Sequence, residues 1–397
     1  MESLDALWAF LVAAAVALVT TPLAARFAHR VGAIDQPSER GLHETPTPRL
    51  GGLAILAAVL LASAIFLPIE NEVRGVLAGA VVVALVGALD DVVDLNPFLK
   101  LAGQVAGASI PVAAGVWVDA STIPFLGRVE FGEAGRVLTV VGIVAVINIV
   151  NFTDGVDGLA AGVCTISAAT LAAIALSLDR TDAGIFAAIT AGAAIGFLRH
   201  NFHPASVFMG DAGSNLLGFM LACIAVQGAL KTAAVAALVF PLVILAVPII
   251  DTSFVVMKRI KYRQPVYRPD SEHFHHRFSR IGFSQQRTVL YLYGWTLTLA
   301  GFALAIRFVP YSDGRGNFDT GYTIVMFALA GCVLAASLYL VYVLEIFKFR
   351  RFRERQLRRE AEAQGDTAPS QAEIDSEIAR EVETGEWEAV KQPPGAS

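Results

Sequence analysis

Charged residues are scarce in this sequence of 397 amino acids. Asp, Glu, Lys and Arg make up 16% of the chain, against roughly 25% in an average soluble domain. A soluble chain of this length folds into two or three domains, each of which needs a charged surface. The composition therefore argues against a soluble enzyme, and the 55% of hydrophobic residues excludes disorder for most of the chain.

Cysteine is also rare, and no segment resembles a cleaved secretion signal. The three cysteines, Cys164, Cys223 and Cys332, lie within apolar stretches, which predicts packing residues and not disulfides or metal ligands. The first apolar stretch, residues 6–25, follows no basic segment and is long enough to remain as an anchor. We find no repeat of fixed period and expect no span to use a strong GxxxG seam.

Charges are not only few but clustered, which leaves eleven uncharged runs. Most approach the length of about 20 residues that crosses a bilayer as a helix. We therefore predict an all-α polytopic membrane protein with about eleven transmembrane helices. The runs are residues 6–25, 50–69, 75–89, 101–118, 137–153, 158–178, 183–198, 212–230, 232–250, 288–306 and 320–344.

The distribution of basic residues predicts the orientation of these helices. Alternate loops carry 21 Lys and Arg residues on one side and 7 on the other. Because basic loops remain in the cytoplasm, the N-terminus is expected outside and the C-terminus inside. The prediction divides the chain into a membrane-embedded domain, residues 1–347, and a cytoplasmic tail, residues 348–397. The tail is basic and then acidic, and its composition indicates partial disorder.

Unusual polar residues concentrate on the predicted cytoplasmic side, which holds all seven histidines. Asp90 and Asp91 end an apolar run, where the partial negative charge of a helix C-terminus disfavours carboxylates. A divalent cation would reverse that preference, and Asp with phosphate oxygens is a common Mg²⁺ environment. A solvated helix end is the alternative.

A second polar group joins two predicted spans. Two Asn and two Asp recur at intervals of three, which places each pair on one helical face. Gly155 and Gly158 permit a tight turn, and the helix that follows offers N–H groups to an anion. Capping by Asp157 explains one carboxylate but not the set. The candidate substrate-binding residues are Asn148, Asn151, Asp154 and Asp157.

Two further groups complete the candidate surface. Asn201 and Phe208 precede Asp211, which opens an apolar run and could simply cap it. Phe208 could stack on a base or anchor the chain at the interface. In the longest cytoplasmic loop, a histidine cluster suits a pyrophosphate better than zinc, because no cysteine lies nearby. That cluster comprises His273, His275, His276 and Arg277.

Together these motifs resemble the polyprenyl-phosphate N-acetylhexosamine-1-phosphate transferases, glycosyltransferase family 4. The resemblance covers nearly all of residues 30–280. The motifs follow in the family's order: DDxxD, NxxNxxDGxDGL, NxxPAxxFMGDxGS and HxHHR. HxHHR and the segment from Asp35 to Gly52 resemble the UDP-N-acetylglucosamine (UDP-GlcNAc) branch. The stretch from Glu44 to Gly52 departs from the lysine-containing TPTMGG segment of the muramoyl branch.

The resemblance implies roles for individual residues. Asp211 matches the Mg²⁺ ligand, with Asp91 beside it, and Asp90 matches the aspartate proposed to activate the lipid phosphate. Lys100 and Gln104 match an element near that phosphate. The nucleotide pocket is implied to contain Asn151, Asp154, Asp157, Asn201 and Phe208. The sugar-phosphate end is implied to meet His273, His275, His276 and Arg277.

What the resemblance implies about function is the transfer of N-acetylglucosamine-1-phosphate (GlcNAc-1-phosphate) from UDP-GlcNAc to polyprenyl phosphate. The reaction releases UMP and starts a cell-envelope glycopolymer. The expected cofactor is Mg²⁺, with Mn²⁺ as a substitute, and the expected partners are both substrates and the bilayer, without nucleic acid. The expected place is the bacterial inner membrane, with the site facing the cytoplasm; a homodimer is left open.

Three alternatives remain at this stage. The same chemistry could use UDP-N-acetylmuramoyl-pentapeptide or another UDP-N-acetylhexosamine as donor. A divalent-cation transporter would also place carboxylates in a membrane, but it needs polar groups near the bilayer midplane. A scaffold that binds partners through its tails leaves the loop motifs unexplained.

Overall fold

A computed structural model describes residues 2–36, 46–123, 127–229, 285–311 and 319–364, with four positions between 370 and 376. Two antiparallel strand pairs lie in the described residues: β1 Ile34–Asp35 with β2 Thr47–Pro48, and β3 Ala120–Ile123 with β4 Gly127–Glu130. The rest is mostly helical. The helices there are α1 Glu2–Val31, α2 Gly52–Phe66, α3 Asn71–Val93, α4 Pro97–Ala113, α5 Glu133–Thr153, α6 Leu159–Leu176, α7 Thr181–Asn201, α8 Gly210–Ala229, α9 Gln285–Phe308 and α10 Thr320–Gln364.

The helices confirm a multi-pass membrane architecture, but not the count of eleven. Seven described helices are long and apolar enough to span a membrane. Helices α2, α4 and α8 coincide with three more predicted runs, and α2 and α4, with 15 and 17 residues, are shorter than the usual crossing of about 20. The run 232–250 lies outside the described residues. The orientation of the termini stays a prediction.

The tight packing of α1 against α7 corrects the expectation that no span uses a GxxxG seam. Gly192 and Gly196 of α7 face α1, where a Cβ on either would overlap the carbonyl oxygen of Phe10 or Ala14. Small residues let two backbones approach this closely within a membrane. On α1 the matching residues are fully buried alanines: Ala9, Ala13 and Ala17. The seam therefore joins two helices of the same chain.

A proline in α1 receives compensation from α7. Pro22 has no N–H, so the carbonyl of Leu18, four residues earlier, lacks its helical donor. His200 Nε2 lies 3.0 Å from that oxygen and donates to it. The contact ties the last turn of α7 to the interrupted turn of α1.

Helix α8 sets the level at which the polar residues meet. It runs antiparallel to α3, because Gly87 contacts Asp211 at one end and Gly79 contacts Phe219 further along. At both glycines a Cβ would crowd the facing helix. The C-terminus of α3 and the N-terminus of α8 therefore lie at the same end of the bundle.

Two of the three cysteines confirm the expectation of packing residues. Cys164 and Cys223 are buried, Cys332 is exposed, and all three are free thiols.

The α1–α7 seam predicts the effect of adding one methyl group. Gly196→Ala places a Cβ against the backbone of α1. Overpacking of this kind lowers the free energy of unfolding by about 1–3 kcal/mol. Gly142→Ala in α5 is the matched control, because nothing lies within 4 Å of its Cβ. Thermal unfolding in detergent should show a lower midpoint for Gly196→Ala alone. Equal midpoints for the two variants would contradict the seam.

Candidate active site

Three helices bring one lysine and two aspartates together. Lys100 Nζ lies 3.0 Å from Asp90 Oδ2 and also pairs with Asp211 Oδ2. The three side chains are 13% to 26% exposed. Since two carboxylates in so little water repel each other, the ammonium group between them is what allows α3 and α8 to present both.

Local chain geometry places Lys100 in that position. Helix α3 ends at Val93, and the next residue, Asp94, has a left-handed φ of 54° that turns the chain back. Asn96 then caps α4 by accepting a hydrogen bond from the Phe98 N–H at 2.9 Å, and Pro97 starts the helix. Lys100 follows one turn later and points back at Asp90.

Asn151 of α5 fixes the second oxygen of Asp211. Its Nδ2 donates to Asp211 Oδ1 at 2.8 Å and contacts Ser214 Oγ at 2.9 Å. Asp211 is thus held on one oxygen by an amide and on the other by Lys100. The structure brings these two predicted site residues into direct contact.

Asp91, beside Asp90 in the sequence, plays a different structural part. Its two oxygens accept the backbone N–H groups of Asp211 and Ala212, at 2.9 and 3.0 Å. Asp91 therefore caps α8 from another helix, which is the role that the sequence suggested for Asp211 itself. Gly210, with φ of 67°, allows this approach, because a Cβ there would overlap Asp91.

The turn between α5 and α6 holds the other two aspartates of its motif. Gly158, with φ of 79°, makes the turn as expected. Asp157 Oδ2 accepts the Ala205 N–H at 3.0 Å and lies 2.9 Å from His203 Nδ1. No side-chain hydrogen bond caps α6, so capping does not account for Asp157.

Asp154 is the carboxylate of this turn without a donor. No described residue gives it a hydrogen bond or an ion pair. Burial raises the pKa of the Asp154 carboxyl well above its usual range, and the negative charges of Asp211, Asp91 and Asp157 raise it further. A carboxyl held this way is ready for a cation or a hydrogen-bond acceptor.

Two predicted nucleotide residues have mainly scaffold contacts. Asn201 is 2% exposed, accepts the Gly158 N–H at 3.0 Å and donates to the Val207 carbonyl at 3.0 Å. The backbone of Phe208 donates to the Pro48 carbonyl at 2.8 Å and accepts from the Gly51 N–H at 3.0 Å. The backbone of Phe208 is thus held within the chain, and its side chain is partly exposed.

Sequence reasoning did not assign roles to His203 or Arg49. His203 shares Asp157 with Ala205, and Arg49 pairs with Asp35 next to the segment that holds Phe208. Both lie in motifs whose other residues carried the predictions, and their spacing in the sequence does not single them out. The cluster His273, His275, His276 and Arg277 lies outside the described residues.

The donor set at this end fits a magnesium ion. Mg²⁺ usually takes one or two protein carboxylates and fills its remaining positions with water and phosphate oxygens. Asp211 and Asp90 supply that number, and both side chains are partly exposed. Among the described residues no three His, Cys, Asp or Glu side chains form a ready-made ligand cage.

The chain is similar to known proteins over the region that contains these residues. The model of glycosyl transferase family 4 matches residues 73–229. A probable undecaprenyl-phosphate N-acetylglucosaminyl 1-phosphate transferase of Bacillus subtilis is 36% identical over 343 residues, which are 85% of this chain and 89% of that protein. This degree of likeness over nearly the full length decides the family.

The chain belongs to glycosyl transferase family 4.

Other family-4 relatives differ in the sugar group that their names give. A decaprenyl-phosphate N-acetylglucosaminephosphotransferase of Mycobacterium leprae is 36% identical over 337 residues, 77% of this chain and 84% of that protein. A phospho-N-acetylmuramoyl-pentapeptide-transferase of Desulforudis audaxviator is 36% identical over 335 residues, 75% and 95% respectively. The region matched by the family model contains the whole Asp90–Lys100–Asp211 cluster.

The raised pKa of Asp154 predicts a pH-dependent stability in metal-free protein. Between the ordinary Asp value, about 3.9, and the raised value, the folded state holds a proton that the unfolded state has lost. Stability therefore falls as pH rises through this window. Asp154→Asn removes the effect, so its unfolding midpoint in EDTA should exceed that of the wild type by more at pH 8 than at pH 4.5.

The control for this prediction is Asp119→Asn, which changes an exposed carboxylate. Its midpoint should follow the wild type at every pH. A constant difference between Asp154→Asn and the wild type across the range would show that Asp154 ionises normally in the fold. Added Mg²⁺ should narrow the difference at pH 8 if the cation relieves the crowding of negative charge.

Proposed function

We propose that this membrane protein transfers GlcNAc-1-phosphate from UDP-GlcNAc to polyprenyl phosphate, giving polyprenyl-diphosphate-GlcNAc and UMP. The observation that carries the proposal is the Asp90–Lys100–Asp211 cluster at one end of an apolar helix bundle. The names of the Bacillus and Mycobacterium relatives support the same transferred group and a polyprenyl phosphate acceptor. A bundle end is also where a lipid phosphate meets a water-soluble nucleotide.

In the proposed reaction an oxygen of the lipid phosphate bonds to the sugar-linked phosphorus. The bond from that phosphorus to the bridging oxygen breaks, and UMP leaves with the electron pair. Both reactants are anionic, so the site must offset their repulsion and hold them in line. Mg²⁺, when bound by Asp211 and Asp90, would supply positive charge for the phosphates.

The chain's own residues have separate parts in this proposal. Lys100 neutralises phosphate charge and orients the acceptor. Asp90 is held by the Leu95 N–H at 2.7 Å and by Lys100, which suits orientation of the lipid phosphate or of the cation. A two-step route through phospho-Asp90 stays open, and trapping that adduct without acceptor lipid would establish it.

The two unlike alternatives fit the described structure less well. Among the described residues the clustered carboxylates lie at helix ends on one side of the bundle, not along a path through it. A cation transporter needs ionisable groups near the midplane. A scaffold would not need Lys100 between two carboxylates. We place the site on the cytoplasmic face of the inner membrane, following the basic loops.

Removal of one charge should separate catalysis from folding. Asp211→Asn retains the hydrogen bond geometry with Asn151 but loses the charge, so UMP release should fall by about 1000-fold or more while the unfolding midpoint stays near that of the wild type. EDTA should produce a similar loss in the wild type. The matched control is Asp182→Asn at the far end of α7, which should stay active. Substantial turnover by Asp211→Asn would remove Asp211 from the reaction.

The donor can be decided by a panel of nucleotides. We expect kcat/KM for UDP-GlcNAc to exceed that for UDP-N-acetylmuramoyl-pentapeptide by at least about tenfold, since one displaced polar contact is enough for such selectivity. UDP-N-acetylgalactosamine tests the second alternative. UMP release with each donor and polyprenyl phosphate is the measurement. A preference for the muramoyl nucleotide would transfer the assignment to that branch, which the Desulforudis relative represents.

A further inference from the structure

A group of buried amide side chains lies behind the lysine–aspartate cluster. Gln104 of α4 is 1% exposed and Asn215 of α8 is 0% exposed. Gln104 accepts a hydrogen bond from Asn148 Nδ2 at 2.8 Å. Within the described part of the chain, Gln104 Nε2 and both polar atoms of Asn215 have no hydrogen-bond partner.

The helix register places Asn215 and Gln104 at the same depth. Helices α4 and α8 run parallel, because Lys100 meets Asp211 and, further along, Gly107 and Phe219 both lie against Gly79. Gln104 and Asn215 are each four residues beyond the Lys100–Asp211 pair. Four residues are about one helical turn, so Gln104 lies on the same helix face as Lys100, and Asn215 on the same face as Asp211.

Helix α5 closes the layer from a third side. It runs antiparallel to α8, since Asn151 contacts Asp211 while Ile147 contacts Gly218. Asn148 lies between these two levels and bonds Gln104. Amides from three helices therefore lie at about the same level in the apolar interior, one turn below the cluster.

Unpartnered amides in such a place need an explanation. Buried polar groups without partners destabilise a fold, and in a membrane interior the surroundings offer no hydrogen bonds. An apolar side chain in place of an unpartnered Asn215 would avoid that cost. Ordered water usually satisfies such groups, with two to four polar partners for each molecule.

We propose that Gln104, Asn148 and Asn215 enclose an ordered water molecule, and that this hydrated layer positions Lys100 and Asp211 from below. Asn215 is then a positioning residue: it touches no substrate and acts through the water and the helix turn above it. The inference rests on the proposed transferase activity for its kinetic part, whereas the water itself does not depend on any substrate.

The central experiment is Asn215→Leu in the full-length protein with UDP-GlcNAc and polyprenyl phosphate. Loss of the water should misplace Lys100 and Asp211 and lower kcat by about 10- to 100-fold. Both KM values should stay within about twofold, because the binding contacts remain. The unfolding midpoint should stay near that of the wild type, because leucine removes the polar atoms of Asn215 together with the water that satisfies them.

Two further variants separate positioning from folding. Asn215→Ser keeps a hydrogen-bonding group and leaves room for a second water, so it should recover most of the kcat lost in Asn215→Leu. Ser167→Ala removes an unpartnered buried hydroxyl from the middle of α6 and should leave kcat unchanged. An experimental map at a resolution that shows water should contain a peak between Gln104 and Asn215.

Several results would overturn the proposal. These are wild-type kcat in Asn215→Leu, a kcat loss that only matches loss of folded protein, a serine variant as impaired as the leucine variant, or a well-resolved map without the water. If the wild type turns over no donor, the transferase assignment fails. The map and the unfolding midpoints then still decide the hydrated layer.

Discussion

The site depends on one electrostatic arrangement, the ammonium group of Lys100 between the carboxylates of Asp90 and Asp211. These aspartates belong to helices that meet only through tertiary packing. Without a cation between them, two carboxylates at the edge of an apolar bundle would repel and separate the ends of α3 and α8. The same charges suit a metal ion, which the two carboxylates can bind, and phosphate groups, which Lys100 can bind.

Close backbone contacts at glycines make this arrangement possible. Gly87 lets α3 approach the first turn of α8, and Gly210 lets Asp91 reach the two N–H groups that open α8. Glycines also let α7 pack closely against α1, and His200 donates to the carbonyl of Leu18, which Pro22 leaves without its helical donor. The helix ends that pack closely at this end of the bundle therefore also make its polar contacts.

The site motifs were largely readable from the chain, but individual roles were not. The motif predicted a turn between two spans, and the structure has Asp154 and Asp157 in that turn, with Asn151 in the last turn of α5. Capping was expected of Asp211 or Asp157, yet Asp91 supplies it to α8 from another helix. For Asn201 the resemblance implies a place in the nucleotide pocket, and the structure adds hydrogen bonds that join two loops. Sequence spacing shows which residues share a face within one element and says little about partners on other elements.

The sequence by itself determined the class of protein and the set of chemically unusual residues. Scarce charge and long apolar runs require helices in a membrane, because backbone groups in lipid must bond within their own segment. Tertiary structure alone decided which carboxylate faces Lys100, which one caps a helix and which amides are left unpartnered. Those roles depend on distances between residues far apart in the chain, and such distances are fixed only when the helices pack.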